Sequence, residues 1–170
     1  MKKKLVMVIN GKGGVGKDAL CQALESQFSV VNISSITPIK EIAAAHGWQG
    51  EKTPEARRFL AELKRVFVEY NDLPTRYLVE QYRAFAAGDA DILCVHIREA
   101  EEIDKFVSQG SLPCVTMLVR RRAVDEQSAY GNAADDGVSN YPYTHTFDND
   151  LPLEESGEAF CSLIRDVLSR

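Results

Sequence analysis

The most constraining stretch of the chain is "LVMVINGKGGVGKDAL", residues 5–20: a Val- and Ile-rich apolar run, then glycines at 11, 13, 14 and 16, then Lys17. The spacing is G-x-x-x-x-G-K, with a buried-strand pattern before it and a helical pattern, "KDALCQALESQF", after it. Glycines so placed let the backbone turn tightly, with successive N–H groups pointing inward in front of a helix N-terminus. Such a concavity binds an anion. The residues therefore predict a phosphate-binding loop in which Gly11, Lys12, Gly13, Gly14, Val15, Gly16, Lys17, Asp18 and Ala19 hold a nucleotide and Lys17 reaches its β- and γ-phosphates. The blander reading is a plain glycine-rich turn, with Asp18 complementing the helix dipole. The strand and helix on either side outweigh it.

Asp18 departs from the usual pattern, because a Ser or Thr hydroxyl normally follows the lysine and meets Mg²⁺. A carboxylate is a better Mg²⁺ ligand, but it brings negative charge beside phosphate oxygens and is favourable only with the metal between them. Asp18 is thus the candidate metal ligand, and strict metal dependence is expected. A second departure lies in "DILCVHIRE", where His96 stands at a strand end that often carries an aspartate holding Mg²⁺ through water. Asp18 is read as supplying the charge missing there. His96 itself reads as a strand-end histidine bonded to backbone, with no zinc-type partner.

The remaining pattern alternates strand and helix. "VVNISSI" (30–36) reads as a strand, Thr37-Pro38 as the N-cap and first turn of a helix ending near Gly47, and Thr53-Pro54 as the start of a longer helix to about Tyr70. On the longer helix Ala56, Phe59, Leu60, Leu63, Phe67 and Tyr70 form one apolar face, flanked by Arg57 and Lys64, while Arg58 and Arg65 point nearly opposite. A third helix is expected from Pro74 to Ala87, stopping at Gly88. "DILCVHI" (91–97) and "CVTMLVR" (114–120) read as fully buried strands with the helix "EAEEIDKFVSQ" between them. Residues 121–142 lack an apolar face and read as a loop or mobile lid. "THTF" reads as a short fifth strand, and 152–169 as a last helix with Leu153, Ala159, Phe160, Leu163, Ile164, Val167 and Leu168 inward.

Such alternation implies parallel crossovers. The expected fold is α/β, a three-layer sandwich with a five-stranded parallel sheet. Its core is 1–36, 89–120 and 143–170, with a helical insertion, 37–88, between strands two and three, where two helices are added to the one that a parallel crossover needs, and a lid at 121–142. A chain of 170 residues, 45% hydrophobic, is one ordinary domain. The net charge of −5 gives no support for nucleic-acid binding, although a run of arginines through the middle allows local focusing of a small anion. No run approaches the roughly 18 apolar residues that a membrane span needs. The basic start is too short in its apolar part to act as a secretion signal, and Cys21, Cys94, Cys114 and Cys161 are scattered without metal spacing. A cytoplasmic protein with no membrane and no nucleic-acid partner is expected, as a monomer or homodimer.

The loop "GKGGVGKD" resembles the P-loop kinases of the deoxynucleoside monophosphate kinase and phosphomevalonate kinase type, adenylate kinase-like proteins in which G-K-D recurs. "GWQGEKTPEARRFLAELK" (47–64) is similar to their W-x-G-x-K segment and Arg-rich helix, "VHIRE" to their D-x-R-x-x-E strand ending, and "FDNDLPLEE" to their Asn-containing turn before the last helix. The resemblance implies transfer of the γ-phosphoryl of ATP, with Mg²⁺, to a small phosphorylated acceptor, a nucleoside monophosphate. It further implies that Lys17 and the loop hold ATP, that Lys52, Arg57, Arg58 and Arg98 hold the acceptor phosphate, and that the arginines 120–122 make lid contacts to the transferring group. Lys17, Arg98, Arg120 and Arg122 are the catalytic candidates. An acceptor phosphate is already ionised, so no general base is required. Arg98, at the carboxyl end of a central strand, is well placed, since open parallel sheets bind ligands there. Trp48 either packs the link between the two Thr-Pro helices or borders the acceptor pocket.

"KGGVGK" also resembles the deviant loop of partition-type ATPases, nucleotide-switched dimers in which the earlier lysine, here Lys12, crosses to the partner's nucleotide. Those proteins carry Thr or Ser after the second lysine. A third reading is a nucleotide-binding protein with little transfer activity.

Overall fold

The computed structural model describes residues 3–126 and 137–170. In chain order the elements are β1 (Leu5–Asn10), α1 (Lys17–Leu24), β2 (Val30–Ser34), α2 (Thr37–Ala45), α3 (Pro54–Asn71), α4 (Leu73–Ala87), β3 (Ile92–His96), α5 (Ala100–Val107), β4 (Cys114–Arg120), α6 (Arg122–Asp125), β5 (His145–Asp148) and α7 (Leu153–Ser169). The strands form one five-stranded, all-parallel sheet in the order β2-β3-β1-β4-β5. β1 lies in the middle, with Val8 opposite Val95 of β3 and Thr116 of β4. The chain crosses to one side of β1 for β2 and β3 and to the other for β4 and β5. The loop after β1 therefore opens where the winding reverses, which is where α/β sheets bind ligands.

Alternation along β1 divides the core into two layers. Met7 and Ile9 pack with Leu20 and Leu24 of α1 and Phe160 and Ile164 of α7, whereas Val6 and Val8 pack with Leu78 and Phe85 of α4 and Ile103 and Phe106 of α5. All of these side chains are buried, each contributing roughly 1.5–3 kcal/mol of hydrophobic stabilisation. A smaller cluster of Ile39, Ala43 and Leu60, with Trp48, Leu63 and Phe67 against it, joins α2 to α3. Thr53 Oγ1 accepts from Ala56 N at 3.2 Å and Pro54 follows it, so α3 starts as its sequence predicts.

Three local expectations are corrected. Thr37 is the first residue of α2 rather than its cap; Ile36 takes that position, without a side-chain cap bond. The apolar face of α3 is narrower than its periodicity suggests, with Phe59 48% and Tyr70 81% exposed. α3 packs on α2 and α4 and has no sheet beneath it, so only a narrow strip is covered. On α7, Leu153 and Ala159 are exposed, and Ser156, Gly157 and Cys161 are buried with Phe160 and Ile164. The small Gly157 admits Ala23 of α1 so closely that an added Cβ would lie 3.0 Å from it, and that close approach sets the rotation of α7.

Part of the expected lid, 127–136, lies outside the described residues. On either side of it are α6 and a 3-10 turn, Val138–Asn140, whose Val138 is buried. Among the described residues no helix is long and apolar enough to cross a membrane.

Candidate functional site: a glycine loop at the head of the central strand

Gly11, φ 154°, starts the loop, and Gly14 and Gly16 hold φ of 85° and 92°. Gly16 is the N-cap of α1, whose first turn carries Lys17 and Asp18. Two glycines are required sterically. A Cβ at Gly11 would stand 2.5 Å from the Val119 carbonyl oxygen, and one at Gly16 would stand 2.5 Å from Asn149 Nδ2. At Gly13 an added Cβ meets nothing within 4 Å among the described residues. Lys17 Nζ curls over the loop, donating to the carbonyls of Gly11 at 2.6 Å and Lys12 at 3.1 Å.

Side chains from distant parts of the sequence fix this shape. Asn149, buried just after β5, donates from Nδ2 to Val15 O at 2.8 Å, and its own N–H donates to Arg120 O. Asn10, also buried, accepts the Gly11 N–H on Oδ1 at 2.9 Å and donates from Nδ2 to Arg98 O at 3.0 Å and Tyr143 Oη at 2.8 Å. The Tyr143 hydroxyl in turn donates to Val138 O. The loop is thus joined to the ends of β3 and β5 and to the 3-10 turn at Val138.

The predicted site residues are distributed unevenly about it. Arg98 is exposed at the end of β3, with its carbonyl held by Asn10. Lys12 pairs with Asp125 of α6 at 3.4 Å. Arg120 is bonded by two nitrogens to the Asp148 carboxylate, at 2.8 and 3.2 Å, and Arg122 lies 3.8 Å from Asp150. Asp18 is exposed at the head of α1, and Ala19 is half-buried behind it. Lys52, Arg57 and Arg58 are exposed on the insertion, and among the described residues no hydrogen bond joins them to the loop. Trp48 packs on the α2–α3 cluster and donates from Nε1 to Glu51 O at 3.2 Å.

His96 differs from its sequence reading. Its ring is bonded to side chains rather than backbone: Nε2 lies 3.4 Å from Asn32 Oδ1 and 3.9 Å from Cys21 Sγ. Cys21, one turn along α1 from Lys17, is hydrogen-bonded to Cys94, which lowers its pKa to about 6 against the effect of burial and with help from His96; Cys94 is raised well above its usual value. Among the described residues no group of His, Cys, Asp and Glu side chains is arranged to hold a metal by itself.

Sequence reasoning missed a second constellation, at the carboxyl ends of β2 and β3. Lys64 Nζ donates to Ser35 Oγ at 3.2 Å, Glu99 Oε2 at 2.8 Å and Glu102 Oε2 at 2.8 Å, which uses all three of its hydrogens. Burial lowers the Lys64 pKa, but the two carboxylates overcome it and the net shift is upward. Burial raises Glu102, and its contact with Glu99 adds to that, so its pKa ends above the usual carboxylate range. Burial also works to raise Glu99, yet the charge of Lys64 outweighs it and Glu99 ends below that range. The position of Lys64 on the edge of the α3 stripe, and Glu99 directly after Arg98, were the available signals.

No protein-family profile matches the chain, and no curated protein sequence does. Solved structures do. A candidate kinase from Chloroflexus aurantiacus is similar over 99% of this chain and 98% of its own, at 14% identity and a TM-score of 0.61. A sugar kinase from a Janibacter species is similar over 96% and 95%, at 15% identity and 0.55. The APS kinase of Mycobacterium tuberculosis, solved in complex with AMPPNP and APS, is similar over 97% and 99%, at 11% identity and 0.53. At these identities the likeness concerns architecture. The chain shares the fold of these structures: a five-stranded parallel sheet flanked by helices, with the glycine loop at the head of its central strand.

Proposed function

We propose that the protein is an ATP-dependent phosphotransferase that moves the γ-phosphoryl group to a small phosphorylated acceptor, a nucleoside or deoxynucleoside monophosphate. The observation that carries this reading is the built loop. Gly11 and Gly16 admit no side chain, Asn10 and Asn149 pin the backbone from both ends, and no described residue lies within 4 Å of a Cβ placed at Gly13. These features fit the phosphates of a nucleotide: Lys17 Nζ rests on carbonyls that phosphate oxygens would outcompete for an ammonium, at the N-terminus of α1. Bound Mg·ATP would supply the phosphoryl group and the metal's charge. The chain would contribute the loop amides and Lys17 to hold the phosphates and Asp18, a single carboxylate, to hold the metal, whose charge would offset that of the carboxylate beside the phosphates. Arg98 would hold the acceptor phosphate, assisted by Lys52, Arg57 and Arg58 from the insertion 37–88. Arg120 and Arg122 would meet the transferring group, exchanging Asp148 and Asp150 for phosphate oxygens.

Lys12 bears on the alternative of a nucleotide-switched dimer. Its Nζ lies on Asp125 of its own chain, which favours the phosphotransferase over a lysine reaching across to a partner's nucleotide.

The test is a thermal shift with Mg·ATP followed by a coupled assay over nucleoside and deoxynucleoside monophosphates. At a hundred times its dissociation constant, Mg·ATP should add about 2.7 kcal/mol of stability. The absence of any shift would refute nucleotide binding; a shift without turnover on any acceptor would favour a binding protein. Asp18→Ala should weaken Mg·ATP affinity about tenfold or more while strengthening metal-free ATP binding, because the carboxylate no longer repels the phosphate oxygens. Mg²⁺-dependent affinity that survives this substitution removes Asp18 from the metal site.

A further inference from the structure

The Lys64 constellation is not used by the reading above, and it lies at the same end of the sheet. Arg98 O is bonded to Asn10, the residue that precedes the loop, and Glu99 comes next in the chain. Ser35, at the end of β2, donates its N–H to His96 O, so Ser35, Lys64, Glu99 and Glu102 crowd the carboxyl edge of β2 and β3. Glu102 is 7% exposed, and its Oε1 is buried with no hydrogen-bond partner among the described residues. The Glu99 side chain is 54% exposed.

Charge counting gives this arrangement a direction. One ammonium faces two carboxylates, each with Oε2 at 2.8 Å from Lys64 Nζ, and like charges so close do not both ionise cheaply away from water. Burial pushes the pKa of Glu102 up, while for the half-exposed Glu99 the charge of Lys64 outweighs burial and the net shift is down, with Lys64 holding it in place. With its three hydrogens committed, Lys64 is not available as an anchor for phosphate. A purely structural tie between α3 and α5 needs only the buried Lys64–Glu102 pair, because a second, half-exposed carboxylate on the same nitrogen adds little stability. What it does add is one oriented hydrogen-bond acceptor on the site side of β3.

We propose that Glu99 receives a hydrogen-bond donor of the acceptor substrate, a hydroxyl or amino group, and that Lys64 and Glu102 are the residues that position it. This rests on the reading of the site as one for a small acceptor. It narrows that acceptor to a molecule carrying both an anionic group, for Arg98, and a hydroxyl or amino donor nearby.

Initial-rate kinetics over nucleoside and deoxynucleoside 5′-monophosphates, with Mg·ATP varied separately, provide the test. Glu99→Ala should raise the acceptor KM about 10- to 100-fold, the range for a lost charge-assisted hydrogen bond, with the KM for Mg·ATP held within about twofold. Lys64→Met and Glu102→Ala should reproduce that acceptor effect, and Glu102→Gln should restore it to within about threefold, since the amide keeps an oxygen to accept from Lys64 Nζ. An acceptor lacking the recognised donor should show the same KM with Glu99 or Ala at this position. An acceptor KM unmoved by Glu99→Ala, or an equal rise for Mg·ATP, overturns the assignment and leaves the phosphotransferase reading intact. If no monophosphate is bound or phosphorylated by the unaltered protein, the acceptor reading itself fails, and the role of Glu99 with it.

Discussion

Lys17→Met is expected to lower Mg·ATP-dependent phosphoryl transfer, read as kcat/KM, by about 10²- to 10³-fold or more, the range for removing one preorganised charge from a developing anion. The fold should survive. Lys17 Nζ donates to two carbonyls of its own loop, Gly11 and Lys12, and those oxygens can turn to water when the ammonium is gone. Unfolding temperature without ligand should therefore change little, while the stabilisation conferred by Mg·ATP largely disappears. A Lys17→Met protein with undiminished turnover would show that the loop does not serve the reacting phosphates.

Gly11→Ala should act the other way round, through stability. Its Cβ would lie 2.5 Å from the Val119 carbonyl oxygen of β4 and 2.9 Å from Val15 Cγ2, at a φ of 154°. Backbone cannot yield as the end of a side chain does, so overpacking and strain together should cost about 2–5 kcal/mol. For a chain of this size that lowers the unfolding temperature by roughly 5–15 °C. Gly13→Ala is the matched control. With nothing within 4 Å of the added Cβ among the described residues, its stability should lie within about 0.5 kcal/mol of the parent, yet nucleotide affinity should fall because the methyl group is added to the loop that would hold the phosphates. Equal stability losses for the two substitutions would contradict the packing of β4 against the loop.

The legible parts of the fold were those set by local chemistry. Strand β4 matches the run "CVTMLVR" residue for residue because a strand buried on both faces is a continuous apolar string bounded by polar residues. The start of α3 was fixed by Thr53-Pro54, and the turn from Gly11 into α1 by glycines that take positive φ ahead of a helical pattern. Contacts made far along the chain were not legible. Tyr70 has the period of a core residue and lies in solvent because α3 has no sheet beneath it, a fact of topology rather than of the helix. Asn10 and Lys64 look like ordinary polar residues until the fold brings Arg98, Tyr143, Ser35, Glu99 and Glu102 to them. The pairing of Arg120 with Asp148 depends on β4 and β5 ending in register, which no spacing within either strand reveals.

The hydrogen bond from Asn149 to Val15 spans 134 positions of sequence. During synthesis the glycine loop emerges early, but the residue that locks it arrives only after all five strands have been made. Until then the loop has its turn residues without its final geometry, and loop-closure entropy opposes so distant a contact. A nascent chain stalled before β5 should hold α1 and β1 and still fail to retain nucleotide. High affinity becomes a property of the finished molecule, so a bound nucleotide would count only fully folded copies, and ligand-dependent protection from proteolysis would report how far folding has progressed.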